Sequence, residues 1–274
     1  RLAQVNTNPI EKKRRKIMNT LAKTTLNDGH HFANAHPLAA TGMTTSRKIA
    51  LAAGILYLLT FVSIPQFALY TTVRAPNYIV SSGPDTGVIV GGILEIIVAL
   101  ACIGTAVALY PALKRQNQIL SMGFIGSRIL EAGTIFTGVV CLMTMVTLRK
   151  SGVGTEGLAI GRMLIAQYDW FHLGQNLMPA VNDLLLGYLL YKSRLVPRVL
   201  PVLAFIGVPV LLANTVILMF GITGLALTLT TLAVIPIALF EFALGVYLAI
   251  KGFKPAAITA DLDNVETNRP VKLA

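Results

Sequence analysis

Apolar positions in this chain run in long blocks rather than in alternation, and polar and charged residues gather between the blocks. A bilayer core takes about 20 apolar residues in helix, because backbone groups left unpaired in hydrocarbon are costly. Six blocks reach that length, over about 49–73, 86–113, 119–148, 171–191, 199–220 and 225–250. The pattern predicts an all-α fold, a polytopic membrane protein whose transmembrane domain, residues 43–254, is a six-helix bundle. Between the third and fourth blocks, Leu158, Ile160, Met163, Leu164, Ile165, Tyr168 and Trp170 recur at roughly helical spacing. That stretch reads as a short interfacial helix or lid, with Tyr168 and Trp170 at head-group depth.

Residues 1–42 are different in kind. They are polar, carry the basic run Lys12, Lys13, Arg14, Arg15, Lys16, and show no apolar periodicity, so a disordered extension is expected. The chain opens on Arg1, while Met43 stands just ahead of the first block and Met18 is another start, so the extension also reads as a tag, a fusion or an over-extended frame. His30, His31 and His36 fall in this flexible stretch and are not read as a metal site. Residues 255–274 are expected to form a short solvated cytoplasmic tail.

Lys and Arg counts in the short connections set orientation, because positive residues resist translocation. One side collects nine: Arg47, Lys48, Lys114, Arg115, Lys192, Arg194, Arg198, Lys251 and Lys254. The other collects four, Arg74, Arg149, Lys150 and Arg162. Both termini are therefore expected on the cytoplasmic side of a cell inner (plasma) membrane.

Composition agrees. Hydrophobic residues make up 54% and charged residues 13%, against about 25% charged in soluble domains. The net charge of +11 divides into +5 for residues 1–42, +7 for 43–254 and −1 beyond, so the excess sits mostly at helix ends. Such charges orient a membrane protein and touch anionic lipid, which argues against a nucleic-acid partner. Cys102 and Cys141 both lie in apolar blocks and indicate neither a disulfide framework nor a metal knuckle.

Ionisable groups inside the blocks carry the candidate chemistry, since each costs at least about 2.5 kcal/mol at a helix centre and should face protein or water. They are Glu95, Arg128, Glu131, Asp183 and Glu241. Arg128 and Glu131 are three apart, on one helix face, where an ion pair can form. Four carboxylates thus accompany one cation, an excess that needs protons, a metal ion or a cationic substrate in a low dielectric. Gln175, Asn176, Asn182 and Asn214 add hydrogen-bonding groups at the same depth, and His172 is a proton relay if water reaches it. Asn176, Asn182, Asp183 and the other four ionisable groups form the candidate buried network or proton and substrate site; Lys192, Arg194 and Arg198 are candidate lipid head-group contacts. Asp183 and Glu241 are each followed one turn later by a glycine, Gly187 and Gly245, a pattern compatible with a three-plus-three duplication.

Several strings carry a family likeness. Gly187-Tyr-Leu-Leu-Tyr-Lys-Ser-Arg-Leu-Val-Pro-Arg198, Ser127-Arg-Ile-Leu-Glu131, and the opening Arg47-Lys-Ile-Ala-Leu-Ala-Ala-Gly-Ile-Leu-Tyr-Leu-Leu-Thr60 resemble the bacterial DUF4386 (domain of unknown function) family of multi-pass membrane proteins. The likeness covers about residues 43–253 and implies a six-helix membrane protein with no established activity. Its polar signature falls here on Glu95, Arg128, Glu131, Asp183, Arg198 and Glu241.

Three function classes stay open. One is a non-enzymatic membrane component, with lipid and a protein partner or a second copy around it. Another is a small-solute or proton-coupled transporter. The third is an intramembrane enzyme, which lacks support because no His-Glu-x-x-His, Gly-x-Ser-x-Gly or phosphate-loop motif occurs. No cofactor is implied.

Overall fold

The computed structural model describes residues 42–267 together with Lys13, Arg14, Lys16 and Met18. The expected disordered extension thus lies almost wholly outside the described residues, and residues 44–274 form a compact unit of their own. Among the described residues the structure is helical, with no strand. Its main elements are α1 (Thr45–Leu59), α2 (Thr86–Gln116), α3 (Gln118–Ser151), α4 (Gly157–Ser193), α5 (Val199–Met219), α6 (Thr223–Ile250) and α7 (Ala257–Thr267).

Among the described residues, four segments are long and apolar enough to cross a membrane: Thr45–Ser63, which is α1 with its 3-10 extension, then α2, α3 and α5. The remaining two expected blocks lie in α4 and α6. In α4 the length suffices, but Gln175, Asn176, Asn182 and Asp183 dilute the apolar run. In α6, which runs from Thr223 to Ile250, the apolar run among the described residues is Val234–Ile250.

Each of the first six helices packs on its neighbour in the chain, and α6 returns to pack on α1, which closes a ring. Close crossings occur where side chains are smallest. A methyl placed on Gly54 would stand 2.5 Å from the backbone nitrogen of Ala249 and 2.7 Å from the carbonyl of Gly245, so α1 and α6 touch backbone to backbone.

Connections follow local chemistry. A single residue, Asn117, separates α2 from α3, and its side chain accepts the Leu120 N–H at 3.0 Å as the cap of α3. Gly152 ends α3 with φ of 72°, the left-handed conformation that glycine adopts without strain. Arg194 ends α4 in the same region, with φ of 57°. The first expected block stops early, because Pro65 follows Ile64 and the chain leaves the helix for a one-turn helix, Gln66–Leu69, and a loop.

Two further expectations change. The stretch read as a separate interfacial helix or lid is instead the first part of α4, which continues unbroken from Gly157 to Ser193. Its apolar spacing was helical because it belongs to the same long helix. The segment expected as a solvated tail carries α7, whose Leu262 is buried in the main apolar core. Asp263 of α7 accepts the Ser46 N–H at 2.8 Å and the Ser46 hydroxyl at 2.9 Å, placing a carboxylate at the positive N-terminus of α1.

Candidate functional site

The polar groups divide into two clusters. In the first, Arg128 of α3 lies in the middle of the ring, 1% exposed. Its Nη1 donates to Glu131 Oε2 at 3.0 Å on the same helix, and its Nη2 donates to Glu241 Oε1 of α6 at 2.9 Å. Nη2 also reaches the hydroxyl of Tyr57 on α1 at 3.1 Å, and Nη1 lies 3.5 Å from Cys102 Sγ on α2. The guanidinium sits over the Tyr57 and Phe124 rings, at 5.3 and 5.7 Å from their centroids. A planar fork with five donors can serve several helices at once, which an ammonium point charge cannot. From α4, Asn182 Nδ2 donates to the same Glu131 Oε2 at 2.7 Å. Four helices therefore meet at one cation, and α4 joins them through Glu131.

Asp183, beside Asn182, is 0% exposed. Among the described residues neither of its carboxylate oxygens meets a hydrogen-bond donor, and Asn182 Oδ1 is likewise unpartnered. Glu241, Arg128 and Glu131 are the charged groups that act on it. Two carboxylates, Glu131 and Glu241, thus share one guanidinium, and a third, Asp183, is buried beside them without a donor among the described residues, an arrangement expensive in desolvation unless protons or a cation offset the excess negative charge.

The second cluster surrounds Glu95 of α2, also 1% exposed. Its Oε2 accepts the Tyr70 hydroxyl at 3.0 Å and its Oε1 the Tyr168 hydroxyl at 2.9 Å. Glu95 and Cys102 are seven residues apart on α2, about 10 Å along the axis, which separates this acid from the Arg128 network. Glycines make room for both tyrosines: Gly91 faces the Tyr70 ring, and a methyl on Gly138 would stand 3.3 Å from the Tyr168 ring. The Tyr168 ring packs edge-on to Tyr70, at 5.8 Å between centroids, and lies 5.5 Å from His172. His172 Nδ1 is buried and, among the described residues, unpartnered.

The single expected network is therefore two, and Glu95 is not part of the Arg128 assembly. Asn176 belongs to neither; it lines a cavity with Asp169, Trp170, Leu173 and Leu218. Tyr168, expected at head-group depth, is instead buried against Glu95, while Trp170 is 58% exposed. Of the head-group candidates, Arg198 stacks on Tyr191 at 4.8 Å, and Lys192 and Arg194 are exposed at the end of α4. Two arginines expected only as orienting charges bind backbone as well. Arg47 donates to the carbonyls of Leu248, Ala249 and Ile250 and so caps α6. Arg149 pairs with Asp85, donates to the Ser81 carbonyl at 2.8 Å and stacks on Tyr78 at 4.5 Å, pinning the loop before α2 to the end of α3. Burial, and after it the hydrogen bond given to Asp85, pushes Tyr78 up to about 12.

Sequence reasoning missed Tyr57, Tyr70, Tyr168 and Cys102 as partners. A hydroxyl inside an apolar helix was the available signal, because a buried tyrosine needs an acceptor or donor for its polar end.

A family model described as a domain of unknown function (DUF4386) matches residues 52–252, a span that takes in both clusters and leaves out α7. No curated protein and no solved structure matches the chain.

Proposed function

The chain belongs to the DUF4386 family, and from that footing we propose a non-enzymatic component of a bacterial plasma membrane, crossing the bilayer six times with both termini cytoplasmic. The observation that carries this reading is Arg128, buried and bonded across α1, α3 and α6, with α2 at its sulfur contact. Such a centre fixes the register of a bundle in which apolar packing alone discriminates weakly between rotations of a helix. The outward apolar residues, among them Ile129, Val140, Ile206 and Val216, meet lipid in this reading.

A second reading, a proton-coupled carrier, is favoured by one observation: Asp183, fully buried, offers two oxygens without a donor beside Glu241. Reconstitution in liposomes with a trapped pH dye separates the two. A structural centre gives proton flux no greater than protein-free vesicles under an imposed gradient. Flux that the chain supports and that Asp183→Asn or Glu241→Gln abolishes would overturn the structural reading in favour of the carrier.

A further inference from the structure

A cavity of about 290 Å³ opens beside the Arg74–Asp169 ion pair, lined in part by Arg162 and by the apolar Ile79, Met145 and Ile165. Neither Arg128 nor Glu95 lines it. Arg74 is committed: it donates to Asp169 at 2.8 Å and stacks on the Tyr168 ring at 5.5 Å. Arg162 is not. Among the described residues its guanidinium makes one long bond, Nε to the Leu158 carbonyl at 3.4 Å, which leaves its terminal amino groups as donors. Two arginines against one aspartate give the cavity a net positive charge, and the rest of its lining is mostly apolar.

We propose that this cavity seats the phosphate of an acidic lipid head group, held by Arg162. The charge calls for an anion, and guanidinium to phosphate is a strong, directional pairing. The apolar wall selects an anion with a carbon stem over a free one. The volume lies at the lower end of the about 300–1,000 Å³ of small-molecule sites, enough for a head group while the acyl chains lie outside against exposed helix faces. The proposal rests on the membrane reading and not on the Arg128 network.

Trp170 makes the test direct, being the chain's one tryptophan, adjacent to Asp169 and exposed. The full chain in detergent is titrated with dihexanoyl phosphatidylglycerol, dihexanoyl phosphatidylcholine and inorganic phosphate, following Trp170 emission. The expected result is a saturable change with the glycerol lipid, and binding about tenfold weaker or worse for the other two. Arg162→Gln should weaken the lipid about tenfold, and Ala166→Phe, which fills the cavity with Arg162 intact, should abolish the change. Melting curves confirm that both variants fold. Inorganic phosphate binding as well as the lipid overturns the lipid assignment. No saturable signal, or an Arg162→Gln variant equal to the parent, overturns the site. A failure here leaves the proton-flux test untouched, since that experiment does not read Trp170.

Discussion

At the scale of single residues, the cost of removing Arg128 comes from what it leaves behind. Arg128→Ala strands Glu131 and Glu241 without their cation, and breaking a buried pair costs about 3–5 kcal/mol. The expected outcome is a lower melting temperature and lower abundance, with part of the loss recovered in Arg128→Ala combined with Glu131→Ala; a double variant no better than the single one would refute the pairing. Tyr168→Phe removes a hydroxyl donor to Glu95 and should cost about 1–3 kcal/mol. In a Glu95→Leu background the same change should cost less, and a thermodynamic cycle measures that coupling. Tyr78 provides a pH signature. Its folded pKa of about 12 stands above the ordinary 10.0, so its contribution is complete below pH 10 and is lost as pH rises toward 12. Melting temperature should fall more steeply over that window in the parent than in Tyr78→Phe.

Among elements, the α1–α6 crossing is the tightest point to probe. The atoms facing Gly54 are backbone, so they cannot rotate away, and Gly54→Ala should cost about 1–3 kcal/mol or more in melting experiments. Gly126→Ala on α3 is the control: no atom of the described residues lies within 4 Å of its added methyl, and helix propensity predicts a neutral or slightly stabilising change. The glycines one turn beyond the two acids have the same packing role on different helices. A methyl on Gly187 would stand 3.2 Å from the Phe205 ring of α5, and one on Gly245 would stand 3.1 Å from Tyr57 of α1. Element ends were legible where a cap residue marks them, as at Asn117 and Gly152. The continuity of α4 was not, because polar residues near Tyr168 and His172, such as Gln167 and Asp169, lower the local hydropathy of the helix.

For the whole molecule, the proposed six crossings with both termini inside predict that the two ends of α3 face opposite compartments. In intact cells an impermeant thiol reagent should label Ser151→Cys and spare Gln118→Cys; Cys102 and Cys141 are buried and stay silent. Labelling of both sites, or of Gln118→Cys alone, would refute that topology. Long apolar blocks determined the helical membrane class by themselves, because hydrocarbon leaves the backbone no other partner than its own helix. Arg128, Glu131, Asn182, Asp183 and Glu241 were likewise legible as a centre, since charges at that depth must meet one another. Only the tertiary structure decided that Glu95 turns to Tyr70 and Tyr168 instead, and that Asp183 has no donor among the described residues. Those outcomes depend on the rotation of each helix and the stagger between neighbours, which are set by contacts distant in sequence and leave no mark on the pattern of any one helix.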